Sequence, residues 1–274
     1  MPTYASPAKL NLFLHITGRR PDGYHALQTV FQLLDHGDTL HVSADDSGEI
    51  VLETGFPGVA HEDNLIVRAA RKLAAHTGST RGARLAIDKR LPMGGGLGGG
   101  SSNAATTLVA LNELWQLGLS IDELADLGLS LGADVPVFVR GHSCWAEGVG
   151  ERITPIELPE RWYVVLVPDC HVGTRDVFTA PDLTRNTAPI TMRAFLAGEG
   201  HNDCEPVVRR RYPAVAQALD WLGQHGDARL TGTGACVFAA FSNEDEARTI
   251  AALRAPGAGC FVAKGLNISP LYRR

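Results

Sequence analysis

Leu91-Pro-Met-Gly-Gly-Gly-Leu-Gly-Gly-Gly-Ser-Ser-Asn-Ala-Ala105 sets six glycines in seven residues directly before a run of small residues suited to a helix start. Glycine admits positive φ and lets a ligand approach the backbone closely, and the first turn of a helix leaves its N–H groups unpaired. Such a turn is a seat for an anion. The helix dipole adds roughly 0.3–2 kcal/mol for a negative group there, and several converging N–H donors fix its position.

The letters Gly94-x-Gly96-x-x-Gly99 match a dinucleotide fingerprint, but that fold needs a second strand ending in an acidic residue about twenty positions on. Here the helix read over 101–115 leads through Leu117-Gly-Leu-Ser120 into another helical stretch, so Glu113 and Asp122 end no strand. A Walker A loop requires Gly-Lys-Ser/Thr, and no lysine occurs between Lys89 and Lys264. The His-Arg-Asp and Asp-Phe-Gly signatures of protein kinases are absent as well.

Upstream of the loop, alternating stretches at 9–16 and 28–34 read as two strands around Gly18-Arg-Arg-Pro-Asp-Gly-Tyr-His25, whose Pro-Asp-Gly turn presents Tyr24 and His25 at its exit. Further strands are expected at 39–44, 50–53 and 84–87, with a helix capped by Asp63 or Asn64 and ended by Gly78. Downstream, a helix is expected from Asp122 to about Leu131, and Val135-Pro-Val-Phe-Val139 reads as a short edge strand. The second half opens on the apolar strand 162–168, then helices near 188–196, 206–211, 214–225 and 243–253, and strands at 228–230, 237–241 and 260–264. Thr231-Gly-Thr-Gly-Ala-Cys236 is a second glycine-rich turn joining two of those strands. These elements divide as 1–158 and 159–274.

A chain of 274 residues, 45% hydrophobic and 20% charged, can bury a sizeable core. A net charge of −5 argues against a nucleic-acid surface, and the polar residues Lys9, Asn11 and His15 interrupt any apolar N-terminal run. Five cysteines without a Cys-x-x-Cys pair imply reduced thiols and a cytoplasmic setting, and Cys236 reads as structural. The ten histidines form no His-x-x-x-His pair, so a zinc site is not expected. Two charges stand in apolar settings and need partners if they point inward, the plainer readings being a solvated strand-start charge for Lys9 and a helix or turn cap for Asp134. Lys9 stands among Ala and Leu at a strand start, and Asp134 lies in Gly132-Ala-Asp-Val-Pro136, where an unpaired carboxylate is costly.

Pro92-Met-Gly94-Gly-Gly96-Leu97-Gly98-Gly-Gly100-Ser101-Ser102 resembles the second motif of the GHMP small-molecule kinases, Pro-x-Gly-x-Gly-Leu-Gly-x-Ser-Ser-Ala. The extra Gly-Gly step, Asn103, Pro7-Ala8-Lys9-Leu10-Asn11-Leu12 and Arg20-Pro21-Asp22-Gly23-Tyr24-His25 point to the branch whose alcohol is a cytidine diphosphate-linked methylerythritol. The resemblance implies a two-domain α+β fold, with a left-handed βαβ crossover in the N-terminal domain, a ferredoxin-like C-terminal domain and the site between them. It implies ATP-dependent phosphorylation of the 2-hydroxyl of that alcohol, with Mg2+ as the accompanying ion. ATP would be held by Pro92, Met93, Gly94, Gly95, Gly96, Leu97, Gly98, Gly99, Gly100, Ser101, Ser102 and Asn103, the serines also capping the helix. Asp134 would be the base and Lys9 its partner. Tyr24 and His25 would take the cytosine, Phe178 would close its other side, and Asn11 and Thr174 would hold the remaining polar groups. Lys89 and Arg90 are further candidates for adenine or phosphate. A GHMP kinase for another alcohol, such as homoserine or mevalonate, and a binding module of the same fold are the alternatives.

Overall fold

The computed structural model describes residues 1–20, 23–56, 58–253, 255 and 257–273. Pro21 and Asp22 of the expected turn lie outside the described residues. β1 (Thr3–Arg19) and β2 (His25–Asp45) form one long antiparallel ribbon. The strands expected at 28–34 and 39–44 are therefore a single strand. It runs on through Gly37, where a Cβ would lie 2.3 Å from the Ser6 carbonyl oxygen, and the register shifts between Pro7 and Lys9. The missing side chain lets the two backbones close without breaking the pairing.

β3 (Ile50–Leu52) pairs parallel with β4 (Gly82–Asp88), and α1 (Leu65–Thr77) makes the crossover between them. Asn64 caps α1 by accepting from the Ile66 N–H, and Gly78 ends it in the left-handed conformation. α2 (Gly99–Leu114) follows the glycine loop and is buried along most of its length, which its alanines permit. It starts two residues before the expected Ser101, with Gly98 at the N-cap. The serines are therefore not caps. α3 (Ile121–Leu129) starts with a reciprocal Ser120–Glu123 capping box.

Residues 135–139 correct the expected edge strand. They form α4 (Val135–Arg140), with proline in its first turn, buried positions from Val135 to Val139 and Gly141 as a left-handed C-cap. A short apolar run cannot be told from a buried helix by periodicity, and proline suits the first helical turn as well as a sheet edge. β5 (Cys144–Gly148) and β6 (Arg152–Pro155) form a hairpin that pairs with β2 and was not anticipated.

The second half comprises β7 (Trp162–Pro168), α5 (Thr174–Phe178), α6 (Met192–Leu196), α7 (Glu205–Arg211), α8 (Pro213–Leu222), β8 (Arg229–Leu230), β9 (Val237–Phe241), α9 (Glu244–Ala252) and β10 (Ala258–Leu266). The helix expected over 188–196 is limited to α6, and α5 was not anticipated. β10 pairs along β7 and reaches β2 at Gly265 and Leu266, joining the two halves edge to edge. Each half has its own core, one around Leu33, Leu85 and Leu108 and the other around Val164, Leu219 and Val237. A third cluster, with Leu10, Leu34, Val165 and Phe238, spans the junction and takes in Leu97. The one large apolar residue among the six glycines thus anchors their loop to both halves. No helix among the described residues is long and apolar enough to cross a membrane.

Candidate active site

The glycine loop lies between the halves because its carbonyl groups are claimed from the C-terminal side. Ala235 N–H donates to Gly94 O at 3.2 Å, Cys236 N–H to Gly95 O at 3.1 Å and the Thr231 hydroxyl to Gly96 O at 3.2 Å. The turn 231–236 thus clamps the loop and makes the hairpin link between β8 and β9. Gly98 has φ +71°, and a Cβ there would meet the Phe138 ring at 2.8 Å. The N–H groups of Gly99, Gly100 and Ser101 begin α2 and have no acceptor within the helix. All three residues line a cavity of about 910 Å3.

Lys9 and Asp134 meet in this cavity. Lys9 is 3% exposed, and its Nζ stands 3.4 Å from Asp134 Oδ2. It donates to Asn11 Oδ1 at 2.5 Å and to Gly96 O at 2.9 Å, and lies over the Phe31 ring, 5.3 Å from its centroid. Asp134 precedes α4 but accepts no capping bond from it, and a third of its side-chain surface is open. Its carboxylate is turned towards the cavity and the lysine. Asn11 is fixed in turn, its Nδ2 donating to Thr29 Oγ1 at 3.0 Å and its N–H to Thr231 Oγ1 at 3.0 Å.

The other expected residues divide. Pro92 to Ser101, Asn103, Thr174, Tyr24, His25 and Phe178 line the cavity, and Thr174 Oγ1 lies 3.2 Å from Thr233 Oγ1. Ser102 does not line it. Its buried hydroxyl accepts from Ser6 Oγ at 2.9 Å, so it packs α2 on β1. Asn103 is also nearly closed off, donating to Ser6 Oγ at 2.8 Å and to Asp38 Oδ2 at 2.9 Å. Phe178 stacks on His25 itself, with centroids 5.3 Å apart and planes at 24°. A base between those rings would need two contact distances, roughly 7 Å, so they form one wall rather than a slot. Tyr24 is 66% exposed at the rim.

Sequence reasoning missed two groups. Phe56, Val59 and Leu65 line the cavity beside Asp63 and Asn64, and their sequence positions read only as loop and helix start. Asp38, fully buried in its side chain, accepts from Lys89 Nζ at 2.6 Å, Arg90 N–H and Leu91 N–H at 2.8 Å each, and Asn103 Nδ2 at 2.9 Å. It ties the exit of β4 to the first turn of α2, and so holds both ends of the glycine loop. Lys89, read as a possible nucleotide contact, is engaged here while still reaching the cavity. Asp38→Ala strands a partly buried lysine and two N–H groups, and should cost about 3 kcal/mol, seen as a fall of roughly 6–12 °C in Tm. Burial pushes the Cys236 thiol up to about 12, so it stays protonated beside the loop.

Comparisons agree with this geometry. The model for the GHMP kinases N terminal domain matches residues 64–142, and that for GHMP kinases C terminal matches 185–259. The chain is 59% identical over 269 residues, 98% of its length and 95% of the relative's, to the 4-diphosphocytidyl-2-C-methyl-D-erythritol kinase of Pseudomonas syringae pv. syringae (strain B728a). The enzyme of that name from Pseudomonas aeruginosa (strain UCBPP-PA14) is 58% identical with the same coverage. A crystal structure of 4-(cytidine 5'-diphospho)-2C-methyl-D-erythritol kinase superposes with a TM-score of 0.84 at 31% identity, covering 96% of this chain and 99% of that one. A mevalonate kinase structure, 16% identical with a TM-score of 0.71 over 97% and 100% of the two chains, shares the fold. With a clamped glycine loop, an ion pair beside it and relatives that match from end to end, the chain belongs to the 4-diphosphocytidyl-2-C-methyl-D-erythritol kinase family of the ATP-using, two-domain α+β GHMP kinases.

Proposed function

We propose that the chain transfers the γ-phosphoryl group of ATP to the 2-hydroxyl of 4-diphosphocytidyl-2-C-methyl-D-erythritol, giving the 2-phosphate and ADP in the non-mevalonate route to isoprenoid precursors. One observation carries this reading: a single cavity joins the glycine loop, the Lys9–Asp134 pair and the Tyr24–His25 rim. Phosphoryl transfer asks a protein mainly for positioning and charge stabilisation. The free N–H groups at the start of α2 and its dipole take the phosphates, while Phe56, Val59 and Leu65 offer an apolar berth to adenine. Asp134 accepts the proton of the attacking hydroxyl. Lys9, 3.4 Å from that carboxylate, steadies the charge that develops. Asn11 and Thr174 bond the polar parts of the acceptor, and Tyr24 stacks on its cytosine beside the His25–Phe178 wall.

Among the described residues no group of three or more His, Cys, Asp or Glu side chains is gathered as metal ligands would be. Magnesium keeps much of its water and binds largely through nucleotide phosphates, so the residues fit an ion that arrives with ATP and neutralises its charge. The Ser101 hydroxyl and Asp134 carboxylate are the groups that would reach it. The division at 158/159 puts the loop and Asp134 on one side and Thr174, Phe178 and the clamping turn on the other. We place the reaction in the cytoplasm, consistent with five unpaired cysteines.

The test is ATP turnover with the cytidine diphosphate-linked acceptor and magnesium, the product identified by 31P NMR. Homoserine and mevalonate should not be phosphorylated, and turnover of one of these in place of the cytidylyl substrate would overturn the reading. Tyr24→Ala should act mainly on the KM for the acceptor, raising it about 5- to 150-fold, the equivalent of one lost base–ring stack.

A further inference from the structure

Arg185 lies in the segment between α5 and α6, for which the sequence suggests no role. Its guanidinium is held by backbone carbonyls: NH1 donates to Leu183 O at 3.0 Å, and NH2 to Phe178 O at 3.0 Å and Ala180 O at 2.6 Å. Of its two other N–H donors, Nε–H points at Nε2 of His25, 3.1 Å away and 160 positions earlier in the chain. Guanidinium has no acceptor, so His25 Nε2 must present its lone pair. In a neutral imidazole the proton then sits on Nδ1. Burial first, and then the charges of Arg185 and Arg19, hold the His25 pKa below its ordinary value, which keeps the ring neutral. Through the Phe178 carbonyl the same guanidinium fixes the ring that His25 stacks on.

We propose that Arg185 is a positioning residue for base selection, locking His25 as the Nδ1–H tautomer so that the wall of the base subsite offers a donor and no acceptor. This rests on the cytidine reading above. Cytosine carries an acceptor at N3, whereas uracil carries N3–H, so a donor wall pairs with the first and confronts the second. The bond also explains why an arginine is anchored so fully beside a substrate pocket while aiming none of these donors at phosphate.

The experiment compares kcat/KM for the cytidine- and uridine-diphosphate-linked acceptors in the native chain, Arg185→Met and Arg185→Lys. The native chain should favour cytidine, and Arg185→Met should shrink that preference by at least about tenfold through the acceptor's KM, with the KM for ATP unchanged. Arg185→Lys keeps the cation without the planar fork, and should lose most of the preference too. A role confined to stability would depress both acceptors alike. An unchanged ratio in Arg185→Met with native turnover intact therefore overturns the inference and leaves the cytidine reading standing, whereas a native chain that turns over neither acceptor sinks both. Long-range 1H–15N NMR of the native imidazole decides independently of whether the variants fold: His25 protonated on Nδ1 is expected, and protonation on Nε2 refutes the lock.

Discussion

Asp134→Asn is expected to lower kcat by about 10²- to 10⁴-fold, the range that general base catalysis contributes, while the KM for ATP stays near its native value. The substitution keeps the side chain's shape and removes its charge. Some stability is lost too, because Lys9 is 3% exposed and loses its counter-ion, but Asp134 caps nothing and Lys9 keeps Asn11 Oδ1 and Gly96 O as acceptors, so the fold should survive for the kinetic comparison. Asparagine can still accept a hydrogen bond from the hydroxyl but cannot take its proton. The size of the loss therefore separates two roles. If Asp134 only orients the acceptor, Asp134→Asn should retain activity within about tenfold of native and Asp134→Ala should lose far more. If it receives the proton, both variants should fall together. Single-turnover rates with saturating ATP and acceptor make the comparison, since a slow product release would hide a deficit in the chemical step.

What could be read in the sequence was the glycine loop and the family it resembles. Lys9 and Asp134 by themselves read as a solvated strand-start charge and a turn cap; the resemblance paired them, and the fold brings them together across 125 positions. The glycine loop was legible because no other composition permits that backbone. Three things were not. Residues 135–139 are apolar on every side, so nothing in their pattern distinguishes a buried helix from a strand. Ser102 has the composition of a cap, yet the helix opens earlier and turns it inward onto Ser6. Asp38 reaches Lys89 51 positions away and Arg185 reaches His25 160 positions away, and a single charged residue in a strand or a loop reads as solvated until its partner is located. The site's general chemistry was thus local in sequence. Its positioning was not.

Gly96→Ala should abolish ATP turnover, by a larger structural insult than a methyl group usually brings. Gly96 has φ +73°, which costs a residue with a Cβ about 1 kcal/mol or more, and the added carbon would lie 2.2 Å from the Thr231 carbonyl oxygen and 3.1 Å from that of Gly234. Both obstacles are backbone, so no side chain can rotate aside. Relief requires the turn 231–236 to withdraw, and that turn supplies the bonds to Gly94 O and Gly95 O as well as Gly96 O. Moving it also displaces Thr231 Oγ1 from the Asn11 N–H, and a shift of Gly96 O removes an acceptor from Lys9. One methyl group therefore strikes the phosphate seat and the Lys9–Asp134 pair together. Gly100→Ala provides the contrast, because its Cβ would meet only the end of the Leu65 side chain at 3.2 Å, in a helical position where alanine is favoured. Titration with a fluorescent ATP analogue should show binding lost in Gly96→Ala and kept within about tenfold in Gly100→Ala. Native-like ATP affinity in Gly96→Ala would mean that the clamp between loop and turn does not shape the phosphate seat.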